Sequence, residues 1–152
     1  MTDIAAEASL RIAAPPVAVW TILTDTARWP EFFLGARAET DWAVGAPIRL
    51  KGEFEGRAYE DKGEILTFEP GRRLAFSHWS GLSGAPDTPE NHHVVTFDLA
   101  PSAQGTDVTL RQTNLTGGLR DADRRNRAAY EKNWRTVLAG LAKLAEAAGS
   151  LG

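Results

Sequence analysis

Apolar and polar residues alternate from the first residues of the chain. Ile4, Ala6, Ala8, Leu10 and Ile12 fall on one face, while Glu7, Ser9 and Arg11 fall on the other. Period two over that length predicts a half-buried strand. Pro15-Pro16 then predicts a helix start, because the missing proline N–H would have had no partner in the first turn. Val17, Trp20 and Leu23 follow at helical spacing. Thr24 to Phe33 reads as a turn and a second short helix that Pro30 starts or interrupts.

From Ala36 to Asn114 the pattern becomes strand and turn, repeated. Glu39 to Ala43 is a candidate strand, closed by Gly45 and Pro47. Ile48, Leu50 and Phe54 alternate with Arg49, Lys51 and Glu53, and Tyr59 to Phe68 follows a turn near Gly56. Glu69-Pro70-Gly71-Arg72 is a turn signal, after which Leu74 and Phe76 alternate with Arg73, Ala75 and Ser77. Ser80 to Asn91, rich in Gly, Ser and Pro, predicts a mobile loop. His93, Val95, Phe97 and Leu99 form one further alternating run, and Val108, Leu110, Gln112 and Asn114 another. Six strands with this spacing predict an antiparallel meander. The period then changes. Tyr130, Trp134, Val137, Leu138, Leu141 and Leu144 lie on one stripe at steps of three and four, predicting an amphipathic helix from about Asp123 to Ala148. Asp121 or Asp123 is the expected cap, and Gly149 the expected end.

A curved sheet with one apolar face needs a cover, and this helix carries the matching stripe. The fold class expected is therefore α+β, one domain over residues 1–152, with about seven antiparallel strands wrapped around a long C-terminal helix. Where helix and sheet part, a cavity of the kind that takes small ligands can open.

Composition narrows the function. The chain has 152 residues, 43% of them hydrophobic and 24% charged, which is ordinary for a globular domain. No apolar run is long enough to span a membrane, and the N-terminus has no basic and apolar leader, so a cytoplasmic location is expected. The net charge of −3 gives no global reason to bind nucleic acid. Arg120, Arg124, Arg125, Arg127, Lys132 and Arg135 form a local basic run, read here as a solvated helix face. With no cysteine, there are no disulfides, thiol nucleophiles or Cys-ligated metals.

The order of elements and several stretches resemble the helix-grip fold of the SRPBCC superfamily, which includes START-related lipid-transfer domains and the birch-pollen-allergen group. Those stretches are Ala14 to Asp25, Trp42 to Ile48, Gly63 to Leu74, Val94 to Leu99, Gly105 to Leu110 and Trp134 to Leu141. Within the superfamily they look like the branch named after the activator of the heat-shock protein 90 ATPase. The resemblance implies the fold directly. For function it implies one of several classes, since the superfamily holds transfer proteins, hormone receptors and cyclases.

Candidate chemistry follows from strand parity. Leu74 and Phe76 place His78 on the inner face, Val95 and Phe97 place His93 there, and Val108 and Leu110 place Gln112 and Asn114 there. An apolar face thus ends in polar groups on three strands. They are either the orienting end of a ligand cavity or strand ends that reach water. His92 and His93, as strand neighbours, point to opposite faces and cannot share a metal, and His78, His93 and a carboxylate such as Asp61 or Glu90 form a site only if tertiary folding happens to bring them together. Ser77, Ser80 and Ser83 lie near His78 without a nucleophile-elbow motif, and Gly117-Gly118 lacks the rest of a phosphate loop. Trp20 and Trp134 are expected in core or pocket wall. Trp29, Phe32 and Phe33 occupy the short-helix region that, in the resembled fold, borders the cavity mouth.

The site expected is a cavity between sheet and helix lined by Phe54, Tyr59, Phe76, His78 and His93, together with Phe97, Gln112 and Trp134, with Phe32 and Phe33 at its mouth. The function expected is non-catalytic binding or carriage of a small hydrophobic molecule such as a fatty acid or flat aromatic. No catalytic residue, metal or cofactor is assigned, and the chain is expected to be a monomer or weak homodimer. One alternative is an enzyme of the cyclase or hydrolase kind using His78 or His93 as general acid or base. Another is a chaperone-associated interaction protein.

Overall fold

The computed structural model describes residues 3–151, and the side chains of residues 3–148. Seven strands form one antiparallel sheet in the order β1-β7-β6-β5-β4-β3-β2. The strands are β1 Ala6–Ile12, β2 Arg37–Thr40, β3 Pro47–Phe54, β4 Arg57–Glu69, β5 Arg73–His78, β6 His93–Ser102 and β7 Gly105–Asn114. Helix α1 (Pro16–Leu23), a 3-10 turn (Thr26–Arg28) and helix α2 (Trp29–Phe32) follow β1, and helix α3 (Asp121–Leu151) closes the chain. This is the expected α+β helix-grip architecture.

Strands β2 to β7 are sequential neighbours; short turns join β3 to β4, β4 to β5 and β6 to β7, while residues 79–92 join β5 to β6. The first strand returns to pair with the last, with Ala6 opposite Gln112 and Ile12 opposite Thr106. The sheet curves around an apolar interior in which Leu74, Phe97 and Leu110 line up across three strands. The second half of α3 seals that interior with Val137, Leu138, Leu141, Ala142 and Ala145. Gly140 lets α3 pass close to α2, since a Cβ there would sit 3.0 Å from the Phe32 Cα. The first half of α3 has a mostly exposed surface, which leaves space between it and the far end of the sheet.

Several boundaries differ from expectation. The second strand is Arg37–Thr40, because Trp42 takes a positive φ of 57° that ends extended structure before Ala43. Leu10, expected on the buried face of β1, is exposed on this edge strand, although Ala8 and Ile12 on either side of it are buried. Ala75 and Ser77, expected on the polar face of β5, are buried, and Ser77 Oγ accepts a hydrogen bond from the Glu64 N–H. Residues 80–91 carry two 3-10 turns, Gly81–Ser83 and Pro89–Asn91, tied by Ser80, Ser83 and Asn91 side chains.

Helix α3 starts at Asp121, two residues early, and runs through Gly149 to Leu151. Asp123 does not cap it in the expected way. Its Oδ2 reaches back to the Arg120 backbone N–H at 2.9 Å, which is the reciprocal arm of a capping box.

Candidate functional site

The polar end of the sheet is built by strand register. Phe76 pairs with Val95, and Val95 with Gln112; one step outward, His78 pairs with His93, and His93 with Asn114. Moving along β6 from Leu99 through Phe97 and Val95 to His93, the inner face passes from buried apolar core to partly exposed polar groups. Above this last row lies a cavity of about 290 Å³. Its apolar wall is Phe33, Ala36, Leu50, Val95 and Trp134. Polar groups converge on it from Tyr59, Asp61, His78, His93 and Gln112, and Leu34, Ser83 and Asn133 form its exposed rim.

Two polar systems face this space. The first is a directed chain of hydrogen bonds. The Trp134 indole N–H donates to Gln112 Oε1 at 2.9 Å, which fixes the Gln112 amide. Gln112 Nε2 therefore donates to His93 Nδ1 at 3.2 Å. With Nδ1 accepting, the neutral ring carries its hydrogen on Nε2, beside the Asn114 side chain that hydrogen-bonds it. Asn114 Nδ2 in turn donates to Asp123 Oδ2 at 2.7 Å, so the chain ends at the start of α3.

Burial pushes the His93 imidazole down to about 4, and the Arg120 guanidinium, 3.3 Å from Nε2, works the same way. His93 is thus neutral at pH 7. Burial alone would raise the Asp123 carboxyl, but hydrogen bonds from the Arg120 N–H and Asn114, with the Arg120 charge, hold it below the usual range. Arg120 also spans to the 80–91 segment, donating to Glu90 O and Asn91 Oδ1.

The second system is Asp61 with His78. Asp61 lies on β4 and is 7% exposed. Its Oδ2 is 2.8 Å from His78 Nε2 on β5. The register that sets Ile65 against Phe76 and Lys62 against Trp79 places Gly63 opposite His78. With no side chain at Gly63, Asp61 can reach across the diagonal. A Cβ at 63 would sit 1.7 Å from Ser77 O, so the two backbones press together there. Tyr59, two residues from Asp61, has its hydroxyl pushed up by burial and by the Asp61 charge.

Of the expected site residues, Tyr59, His78, His93, Gln112, Trp134 and Phe33 line the cavity. Four do not. Phe54 is 59% exposed at the end of the β3–β4 hairpin, beyond any cover. Phe76 and Phe97 are wholly buried in the core below the cavity. Phe32 is buried against Trp29 and α3. Phe33 is a buried wall and not a mouth residue.

The tryptophans also divide differently. Trp29 is fully buried, its N–H donates to Leu23 O at 2.9 Å, and its ring packs on Phe32, Phe33, Trp42 and Phe76. Trp134 is only half-buried. Leu50, Tyr130 and Arg120 were not singled out in the sequence as part of a ligand site, and Asp61 was named there only as a carboxylate that tertiary folding would have to bring to His78 and His93. For Asp61 a signal existed, because it shares the parity of Tyr59 and Ile65 on one strand.

Residues 13–146 match the family described as Activator of Hsp90 ATPase homolog 1-like protein. The chain belongs to that family. ChR145 from Cytophaga hutchinsonii, known from a solution structure, is 39% identical over 95% of each chain, with a TM-score of 0.74. Protein MLL2253 from Mesorhizobium loti is 24% identical over 91% of this chain and 93% of its own, with a TM-score of 0.70. The di-domain ARO/CYC StfQ from the steffimycin biosynthetic pathway shares the fold at 17% identity, with a TM-score of 0.72; this chain covers 51% of it. No curated protein matches the chain. No helix among the described residues is long and apolar enough to cross a membrane.

Proposed function

We propose that this family member binds a small, largely apolar molecule in the cavity between the first half of α3 and the polar end of the sheet. The observation that carries the reading is the cavity itself. Its 290 Å³ stands at the small end of the roughly 300–1,000 Å³ range of ligand sites. An apolar wall and a few convergent polar groups are the usual division of labour in such sites. Phe33, Leu50, Val95 and Trp134 would supply affinity by burial, at about 25 cal/mol per Å². Asp61, His78 and Tyr59 would supply direction. The family and the shared fold support ligand binding without naming a ligand.

A second reading is favoured by the Asp61–His78 pair. A histidine held by a carboxylate is the arrangement of a general base. The fold neighbour from a biosynthetic pathway is compatible with that reading. His93 suits it less, because both its ring nitrogens are engaged within the protein.

Native mass spectrometry of freshly purified protein tests the proposal. A co-purifying small molecule is expected on the parent. It should be absent from Ala36→Phe, which fills the cavity from its wall. An equal load on the folded Ala36→Phe protein would contradict the reading.

A further inference from the structure

The geometry points to a ligand that presents a neutral hydroxyl to the cavity, and not a carboxylate. This inference rests on the cavity being the ligand site, and it concerns the deep polar end of that site. A carboxylate accepts hydrogen bonds only, so the His78 nitrogen at Asp61 Oδ2 is the one that carries the hydrogen. In the neutral ring His78 Nδ1 is then a lone pair, and it has no hydrogen-bond partner among the described residues. The His78 side chain lines the cavity and keeps a quarter of its surface open, 25%. Asp61 Oδ1 is buried and also has no partner among the described residues. Two adjacent side chains therefore each offer an acceptor that the protein leaves unused. A ligand hydroxyl supplies the donor that His78 Nδ1 lacks.

Charge excludes the acidic alternative. Asp61 is the one Asp, Glu, Lys or Arg among the groups that line the cavity. The cation on the His93 side, Arg120, donates to Glu90 O, Asn91 Oδ1 and Asn114 Oδ1, and its Nε, which makes no hydrogen bond, lies 3.8 Å from the Asp123 carboxylate that balances its charge. A ligand carboxylate at His78 would set a second negative charge close to Asp61, with no Lys or Arg among the described lining residues to offset it. A neutral hydroxyl completes the line from Asp61 through His78 to the ligand. This narrows the fatty-acid expectation drawn from the sequence to the alcohol or phenol of the same shape.

Three probes on one ring system separate the possibilities by calorimetry at pH 7.5. They are 2-naphthol, which is neutral there because phenols ionise near 10, 2-methoxynaphthalene, which has no donor, and 2-naphthoate. We expect 2-naphthol to bind about tenfold tighter than 2-methoxynaphthalene, the usual worth of a hydrogen bond to a charge-backed acceptor, and 2-naphthoate to bind weakest. Asp61→Asn and, separately, His78→Phe should cut the ratio of 2-naphthol to 2-methoxynaphthalene affinity, measured on the same variant, to about threefold or less. Equal binding of all three, naphthoate binding as tightly as naphthol, or a naphthol advantage that survives both variants overturns the inference and leaves the cavity reading standing. Absence of binding by all three overturns the cavity reading and the hydroxyl preference with it.

Discussion

The ring of Phe33 lies 5.9 Å from the ring of Trp134 and 6.4 Å from that of Phe76. Phe33 therefore fills the gap between sheet and helix that would otherwise join them, and it becomes a wall of the cavity. The open space begins on its far side, over the row of His78, His93 and Asn114. One buried ring thus divides the interior into a dry core and a polar-ended pocket.

The two tryptophans on either side of that division differ in worth. Trp29→Ala removes a fully buried ring with four aromatic neighbours and should cost about 3–5 kcal/mol. Trp134→Ala removes a half-buried ring at the cavity and should cost roughly 1–2 kcal/mol, because part of its surface is already open and the site is already a void. Urea unfolding of both variants checks the order. Equal losses would place Trp134 in the core.

Stability should fall in mild acid through His93. Its folded value of about 4 lies below the ordinary 6.5, so the unfolded chain binds the proton first as pH drops. The contribution is complete above pH ~6.5 and is lost progressively down to about 4, by at most about 3 kcal/mol. His93→Gln should flatten the slope of stability against pH in that window. A parent whose stability is constant from pH 6.5 to 4.5 would contradict the buried neutral ring.

Gly63→Ala should be disproportionately damaging. Its methyl would collide with Ser77 O, a backbone atom in the middle of the sheet that cannot move alone. A loss of about 3 kcal/mol or more is expected, seen as a lower urea midpoint or as failure to fold. The neighbouring hairpin-turn glycine, Gly56, meets nothing within 4 Å and serves as a control for the collision, with only its positive φ of 77° to strain. Near-parent stability of Gly63→Ala would show that β4 and β5 do not approach as described.

The fold was legible in the sequence because side-chain period is a robust signal. Alternation placed His78, His93 and Gln112 on one face, and they do share one. What failed was anything set by where cover ends. Phe54 has the right parity, but the hairpin outruns the helix. Phe32 and Phe33 follow a 3-10 turn and precede the positive φ of Leu34, and neither feature has a period to read. Along β4, Tyr59 and Asp61 face inward on odd numbers, whereas Phe68 pairs with inward Leu74 on an even one. The register shift between Ile65 and Thr67 accounts for the change. That switch of parity within one run was the sequence trace of a bulge.

The central claim is that the pocket beside Trp134 takes an apolar ligand while the core around Trp29 stays closed. The most direct measurement is a ¹H–¹⁵N NMR titration with 2-methoxynaphthalene, following the tryptophan indole N–H signals after assignment by single Trp→Phe variants. A saturable shift is expected of the Trp134 signal, whose N–H is hydrogen-bonded to Gln112 in the cavity wall. The Trp29 signal, whose N–H is bonded to Leu23 O in the core, should hold still. A saturable shift confined to Trp79, or no saturable shift at Trp134 at any soluble concentration, would contradict it.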